Sequence, residues 1–135
     1  MQNEINSKVE IDGQSLSIGS LVSVARGGAA VGLSPSAWEQ ISNGRKVVER
    51  VVSRGDLVYG VTSSVGAKTG VLLNPDNHPE FNRRLLETHN FGHGPTASPE
   101  VVRAMLLILL NSMASGRLGV RPVLAERIVD ALNSD

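Results

Sequence analysis

The stretch SPEVVRAMLLILLNSMASGRLGVR, Ser98 to Arg121, decides what kind of fold this chain can make. Ser98-Pro99-Glu100 is a helix start: a capping residue, then proline at the first helical position, then an acid in the first turn. The spacing predicts a helix from Pro99 to about Ser115 that is apolar nearly all round, with Leu106 to Leu110 consecutive. Arg103 and Asn111 interrupt the apolar run, which falls short of the ~20 residues a membrane span needs. A helix of that kind is buried within something larger. A chain of 135 residues has little with which to cover all its sides, so a partner surface is expected.

Working outward, Pro122 opens a last helix through Val123, Leu124, Ile128, Val129 and Leu132. Upstream, Ser34-Pro35-Ser36 opens a long helix in which Trp38, Ile41, Val48, Val51 and Val52 recur at helical spacing, ending near Ser53-Arg54-Gly55. His78-Pro79 opens another, to about Thr88, with Phe81, Leu85 and Leu86 on one side. Near the N-terminus, Lys8 to Ile11 and Gln14 to Ile18 alternate about Asp12-Gly13, a pattern that predicts a small β-hairpin. Either Ser17 or Ser20 caps a short helix carrying Leu21 to Ala25, stopped by Gly27-Gly28, and Ala29 to Leu33 reads as one further strand. The fold class is mainly α, with residues 1–7 a disordered tail and 8–135 one domain.

Composition narrows the function. Thirteen basic residues balance thirteen acidic ones, which leaves no electrostatic footprint for a nucleic acid. Hydrophobic residues make up 41% but aromatics only 3%, so the core is aliphatic. Without cysteine there is no disulfide and no thiolate metal site. The polar N-terminus has no signal-peptide core, and a soluble, cytoplasmic protein is expected, with neither membrane nor nucleic acid as partner.

Between the helices lies VYGVTSSVGAKTG, Val58 to Gly70, which carries the only tyrosine. Gly66-Ala67-Lys68-Thr69-Gly70 lacks the residue order of a phosphate loop. His89 and His93 are four apart, but Gly92 and Gly94 break any helix there, so no metal site is expected. Tyr59 has two readings. It is either a strand-end aromatic with its hydroxyl in water, or a loop tyrosine placed to exchange protons. A free phenol titrates near ~10, so the second reading requires a positive or hydrogen-bonding environment.

Three segments in order resemble one family. Tyr59-Gly60-Val61-Thr62-Ser63-Ser64-Val65-Gly66 resembles the Tyr-Gly-x-Asn/Thr-Thr-Gly-Phe/Val-Gly loop of the histidine and aromatic amino-acid ammonia-lyases. Arg84 to Gly94 resembles that family's Ser-Leu-x-x-Ser-His-x-x-Gly-x-Gly segment. Asn111 to Arg121 resembles its Asn-Ser-Leu-x-Arg-Gly-x-Ser-Gly-Val/Ile-Arg segment. The resemblance covers about residues 8–132.

This resemblance implies a mostly α-helical lyase-type fold, incomplete here and completed by a partner chain. It implies an electrophilic methylidene-imidazolone group, made in the family from an internal Ala-Ser-Gly, and a base that removes a β-proton so that ammonia departs. By resemblance Tyr59 is that base, Gly60 a loop hinge, and His89, Thr88 and Gly66 line the site of a small amino-acid-like substrate. Thr88-His89 is closer to the Ser-His of histidine-type members than to the pairs of phenylalanine- or tyrosine-selective ones.

Ala114-Ser115-Gly116 carries the cyclising letters but falls in the third segment, at a helix end, followed by Arg117-Leu118 and not Asp-Leu. No prosthetic group is expected to form in this chain. The true triad would lie past residue 135, in a second lyase-like polypeptide, giving a hetero-oligomer inactive as isolated subunits. Three departures stand out: Ser64 for a loop glycine, Ser115 for an arginine, and Glu87 where the family is apolar. The reading favoured is an N-terminal subunit of an ammonia-lyase- or aminomutase-like enzyme. The alternatives are a lyase-derived binding or regulatory domain without catalysis, and a cut-down piece of a longer enzyme.

Overall fold

The computed structural model describes residues 8–66 and 70–134. The elements run β1 (Val9–Ile11), α1 (Ile18–Ala25), β2 (Val31–Leu33), α2 (Pro35–Arg54), a 3-10 turn (Pro75–Asn77), α3 (His78–His89), α4 (Pro99–Ala114) and α5 (Pro122–Asn133). The chain is mainly helical, and its four longer helices begin at, or one residue before, the prolines that mark them in the sequence. Ser34, itself buried, shows the mechanism: its Oγ accepts the Ala37 N–H at 3.1 Å, satisfying an amide that has no partner inside α2. No helix among the described residues is long and apolar enough to cross a membrane. The tail at residues 1–7 lies outside the described residues.

The β-hairpin expected at residues 8–18 does not form. β1 pairs instead with β2, in parallel, with Val9 opposite Val31, Glu10 opposite Gly32 and Ile11 opposite Leu33. Two local features redirect the chain after β1. The Asp12 carboxylate accepts the amides of Gln14 and Ser15, both at 2.8 Å, and these bonds hold its carboxyl below the usual range. Gly13, at φ +86°, presses its bare backbone against the end of α4, where a Cβ would stand 2.6 Å from the Ser115 nitrogen. Ser17 then accepts the Ser20 N–H at 3.1 Å and starts α1. Parallel strands need a crossover between them, and α1 supplies it.

The chain divides into two compact units, one made of residues up to Val47 and from Ala97 onward, the other of Val48–Thr96. The core of the first is aliphatic, as its composition requires. Val24 of α1, Ala37 and Ile41 of α2, Leu107, Leu110, Met113 and Ala114 of α4, and Ala125, Ile128 and Leu132 of α5 are buried together with Ile11 and Val31 of the strands. The free edge of β2 is closed by a side chain. Asn133 accepts the Val31 N–H at 2.8 Å through Oδ1 and donates Nδ2 to the Val31 carbonyl at 2.9 Å, doing what a third strand would do. α4 buries one face only: Val101, Met105, Ile108 and Leu109 stay exposed, Met105 at 63%.

The second unit is built differently. Its described buried side chains are Thr62 and Ser63, both polar, and its framework is hydrogen bonding. Ser63 forms an isolated antiparallel bridge with Leu72, flanked by Ser64 N–H to Val71 O at 3.1 Å and Leu73 N–H to Thr62 O at 2.8 Å. Asn74 Oδ1 accepts the Asp76 N–H at 3.1 Å and starts the turn that leads into α3. Along α3, Glu80 pairs with Arg83 and Arg84, and Arg83 also with Glu87. Those guanidinium bonds hold the Glu80 carboxyl at about 2, from an ordinary 4.5, and raise Arg83.

Candidate active site

The second unit also holds the tyrosine loop. The Val58 carbonyl gathers three amides, from Val61 at 3.1 Å, Thr62 at 3.0 Å and Ser63 at 3.1 Å, folding residues 58–63 into a tight turn. Tyr59 and Gly60 form its tip. Gly60 sits at φ +69°, a left-handed backbone that a side chain would oppose, so the glycine is required by the shape of the turn. Tyr59 is 64% exposed.

There it lines a cleft of about 680 Å³ with Val65, Leu85, Leu86, His89 and Asn90. α3 delivers its share by helical spacing, since Leu85, Leu86 and His89 fall on neighbouring turns and Asn90 is the residue that ends the helix. Among the described residues, three of the six lining side chains are aliphatic, and the polar-bearing ones are Tyr59, His89 and Asn90. Among the same described residues, no carboxylate and no lysine or arginine belongs to the lining.

The His89 ring has a defined role in this geometry. Its Nδ1 lies 2.8 Å from the Leu85 carbonyl oxygen, which can only accept, so Nδ1 carries the proton. In the neutral ring Nε2 is then an acceptor, suited to an N–H or O–H donor on a bound molecule. The cleft can therefore take a small molecule with an apolar or ring portion against Val65, Leu85 and Leu86, and a donor near His89.

Of the residues singled out in the sequence, Tyr59 and His89 come together here. Thr88 neighbours His89 but is not part of the lining, because its hydroxyl donates back to the Arg84 carbonyl at 2.8 Å. Gly66, at φ +65°, stands next to Val65 outside the lining, and Ala67 to Thr69 of the phosphate-loop comparison lie outside the described residues. His93 falls beyond the end of α3, and the described residues hold no cluster of three metal-ligating side chains. Glu87 is held by Arg83 and does not reach the lining. Ser64, beside the Ser63–Leu72 bridge, donates its N–H to the Val71 carbonyl and has no positive φ, a conformation that needs no glycine. Asn90, Val65 and the Thr62 hydroxyl escaped sequence reasoning. Asn90 carried a signal, as the first residue of a helix-breaking Asn-Phe-Gly.

The Ala114-Ser115-Gly116 segment can be tested for ring formation directly. Closing the five-membered ring would bring the Gly116 nitrogen onto the Ala114 carbonyl carbon. That N–H instead donates to the Met113 carbonyl at 2.9 Å in the last turn of α4, and Ser115 Oγ donates to the Ser112 carbonyl at 2.7 Å. Ala114 is fully buried, and Gly116 packs directly on the backbone of Gln40. The segment is an ordinary helix end, and these residues do not fit the prosthetic group.

The chain is similar to known proteins. Over 125 residues the chain is 34% identical to histidine ammonia-lyase of Streptococcus pyogenes serotype M3, a match covering 93% of this chain and 24% of that one. In three dimensions it superposes on the ergothioneine-degrading enzyme of Treponema denticola, solved with desmethyl-ergothioneine sulfonic acid, with a TM-score of 0.90 and 31% identity over 94% of this chain and 26% of the other. Tyrosine aminomutase of Streptomyces globisporus superposes with a TM-score of 0.89 and 27% identity, over 94% of this chain and 24% of the enzyme. The chain thus spans about a quarter of the length of the relatives it matches. The sequence model described as "Aromatic amino acid lyase" matches residues 16–135, nearly the whole chain and both the Tyr59 turn and α3, and the chain belongs to that family.

Proposed function

We propose that this chain is the N-terminal portion of an ammonia-lyase- or aminomutase-like active site, with Tyr59 as the base that removes a β-proton from a small amino-acid-like substrate. The observation that carries the reading is the shared cleft of Tyr59 and His89. The tip of the turn and the end of α3 bring a phenol and a ring nitrogen that accepts to one cleft, together with Val65, Leu85 and Leu86. Tyr59 acts as the phenolate, with the positive or hydrogen-bonding environment this needs supplied by the completed assembly. It takes the β-proton and becomes the phenol, while the aliphatic side chains receive the substrate's apolar portion and His89 Nε2 orients the substrate through a donor on it.

The methylidene-imidazolone, whose chemistry is to make the amino group a competent leaving group, is supplied in this proposal by a second lyase-like polypeptide. The exposed face of α4 supports such a partner, since Val101, Met105, Ile108 and Leu109 form an apolar surface on a helix end to end with few charges. The assembly is then a hetero-oligomer, and this chain has no lyase activity alone.

The test is co-expression with a polypeptide containing Gly-Ala-Ser-Gly-Asp, co-purification, and assay for ammonia, for an α,β-unsaturated acid and for the amino-shifted isomer. Product from the pair, and none from either chain alone, supports the proposal. Full activity with Tyr59→Phe sinks the assignment of the base. A well-behaved chain that captures no such partner is instead a lyase-derived binding domain.

A further inference from the structure

We propose that Thr62 is the positioning residue for Tyr59, its hydroxyl fixing the turn that aims the phenol into the cleft. The inference rests on Tyr59 being the base, but its geometry stands apart from that reading. Thr62 is 2% exposed in a unit whose described side chains are otherwise mostly exposed. Its Oγ1 accepts the Val58 N–H at 2.8 Å and donates to the Asp56 carbonyl. Val58 is the residue before Tyr59, so a single hydroxyl clamps the segment entering the turn at two peptide groups. Meanwhile the Thr62 backbone binds both sides: its N–H donates to the Val58 carbonyl at 3.0 Å, and its carbonyl accepts the Leu73 N–H at 2.8 Å.

The Tyr59 Cα–Cβ direction is set by the peptides on either side of it. The peptide on its N-terminal side is tied to Thr62 by the Val58 carbonyl, and Val58's own amide by the hydroxyl. Threonine suits the role for two reasons. A hydroxyl accepts and donates at once, which neither valine nor a carboxylate can do. The β-branch restricts χ1, so the oxygen is held where both partners need it. Glycine at position 60 gives the turn its sharp tip, and Thr62 gives it a fixed base.

The chain's single tyrosine and single tryptophan make the test clean. Incorporated 3-fluorotyrosine reports Tyr59 alone by ¹⁹F NMR, and Trp38, which packs on the core of the first unit, reports that the fold is intact. In Thr62→Val the ¹⁹F resonance is expected to move to the shift of the free amino acid and the Val58 amide to exchange at least about tenfold faster, with Trp38 fluorescence unchanged. Thr62→Ser keeps the hydroxyl and restores both. In the active assembly Thr62→Val lowers kcat by about ten- to a hundredfold with KM little changed, and Thr62→Ser recovers most of it. A Thr62→Val chain with wild-type ¹⁹F shift and Val58 exchange overturns the proposal, as does a displaced ¹⁹F resonance with unchanged kcat. If no assembly turns over any substrate, the lyase reading fails, and the ¹⁹F and exchange results still decide whether Thr62 sets the tyrosine.

Discussion

The two units hold themselves together by different forces. The first sequesters a dozen aliphatic side chains from four helices and two strands, and closes its sheet edge with Asn133. The second, among its described residues, buries only two hydroxyl-bearing side chains and depends on hydrogen bonds around Val58 and Thr62 and on ion pairs along α3. Burial of apolar area is strong and indifferent to direction, whereas hydrogen bonds contribute little net stability but fix angles. A region with chemistry to perform gains from the second arrangement, since its side chains stay at the surface while its backbone is held in a definite shape. Low local stability goes with that choice.

The largest expected effect breaks the comparison on the catalytic side. Tyr59→Phe should lower turnover of the partnered enzyme by about 10²–10⁴-fold, the usual worth of a positioned base, while thermal unfolding stays within experimental error of the parent. Equal activity would leave the second unit's tip without a function. The converse change lies in the first unit: Leu107→Ala removes a fully buried side chain of α4 and should cost about 2–5 kcal/mol in denaturant unfolding. The same truncation at Leu86, 74% exposed on α3, should stay within about 0.5 kcal/mol and register in substrate affinity instead.

A finer test concerns the sheet edge. Asn133→Ala deprives the Val31 peptide of both its partners and should cost about 1–3 kcal/mol, with Val31 the amide that exchanges fastest relative to the parent.

The smallest effect is electrostatic and belongs to the second unit. Glu80 is held at about 2 by Arg83 and Arg84, below its ordinary 4.5. A depressed carboxyl stabilises fully above the unfolded value and loses its contribution as pH falls through the folded one, so the effect is confined to pH 4.5 down to about 2. The Glu80 side-chain carboxyl carbon should titrate near 2 by NMR, and Arg83→Ala should move that midpoint upward. Exposed ion pairs are screened by salt, so the shift should shrink at high ionic strength.

Legibility followed the range of the interaction. α2, α3, α4 and α5 could be read because a proline in the first turn, preceded by a serine in α2 and α4, and then apolar residues at helical spacing are signals carried within one segment. The strands at Val9–Ile11 and Val31–Leu33 were legible as strands, but their pairing was not. Alternation tells which face a strand buries and says nothing of its neighbour, and Asp12-Gly13 reads as a hairpin turn until Ser17 is seen capping a helix. At the site, Tyr59 and His89 could be named through their motifs, while Asn90 and Val65 needed the cleft and Thr62 needed its hydrogen bonds.

By itself, then, the sequence determined the helices, the aliphatic nature of the core, the chemical groups available and the family, since all of these are written in local patterns and ordered motifs. Only the tertiary structure decided which strand pairs with which, that one face of α4 is buried and the other left open, and that a threonine hydroxyl grips the turn beneath Tyr59. Those outcomes depend on contacts between residues that no short window of sequence contains, and on the direction of bonds, which composition and spacing do not encode.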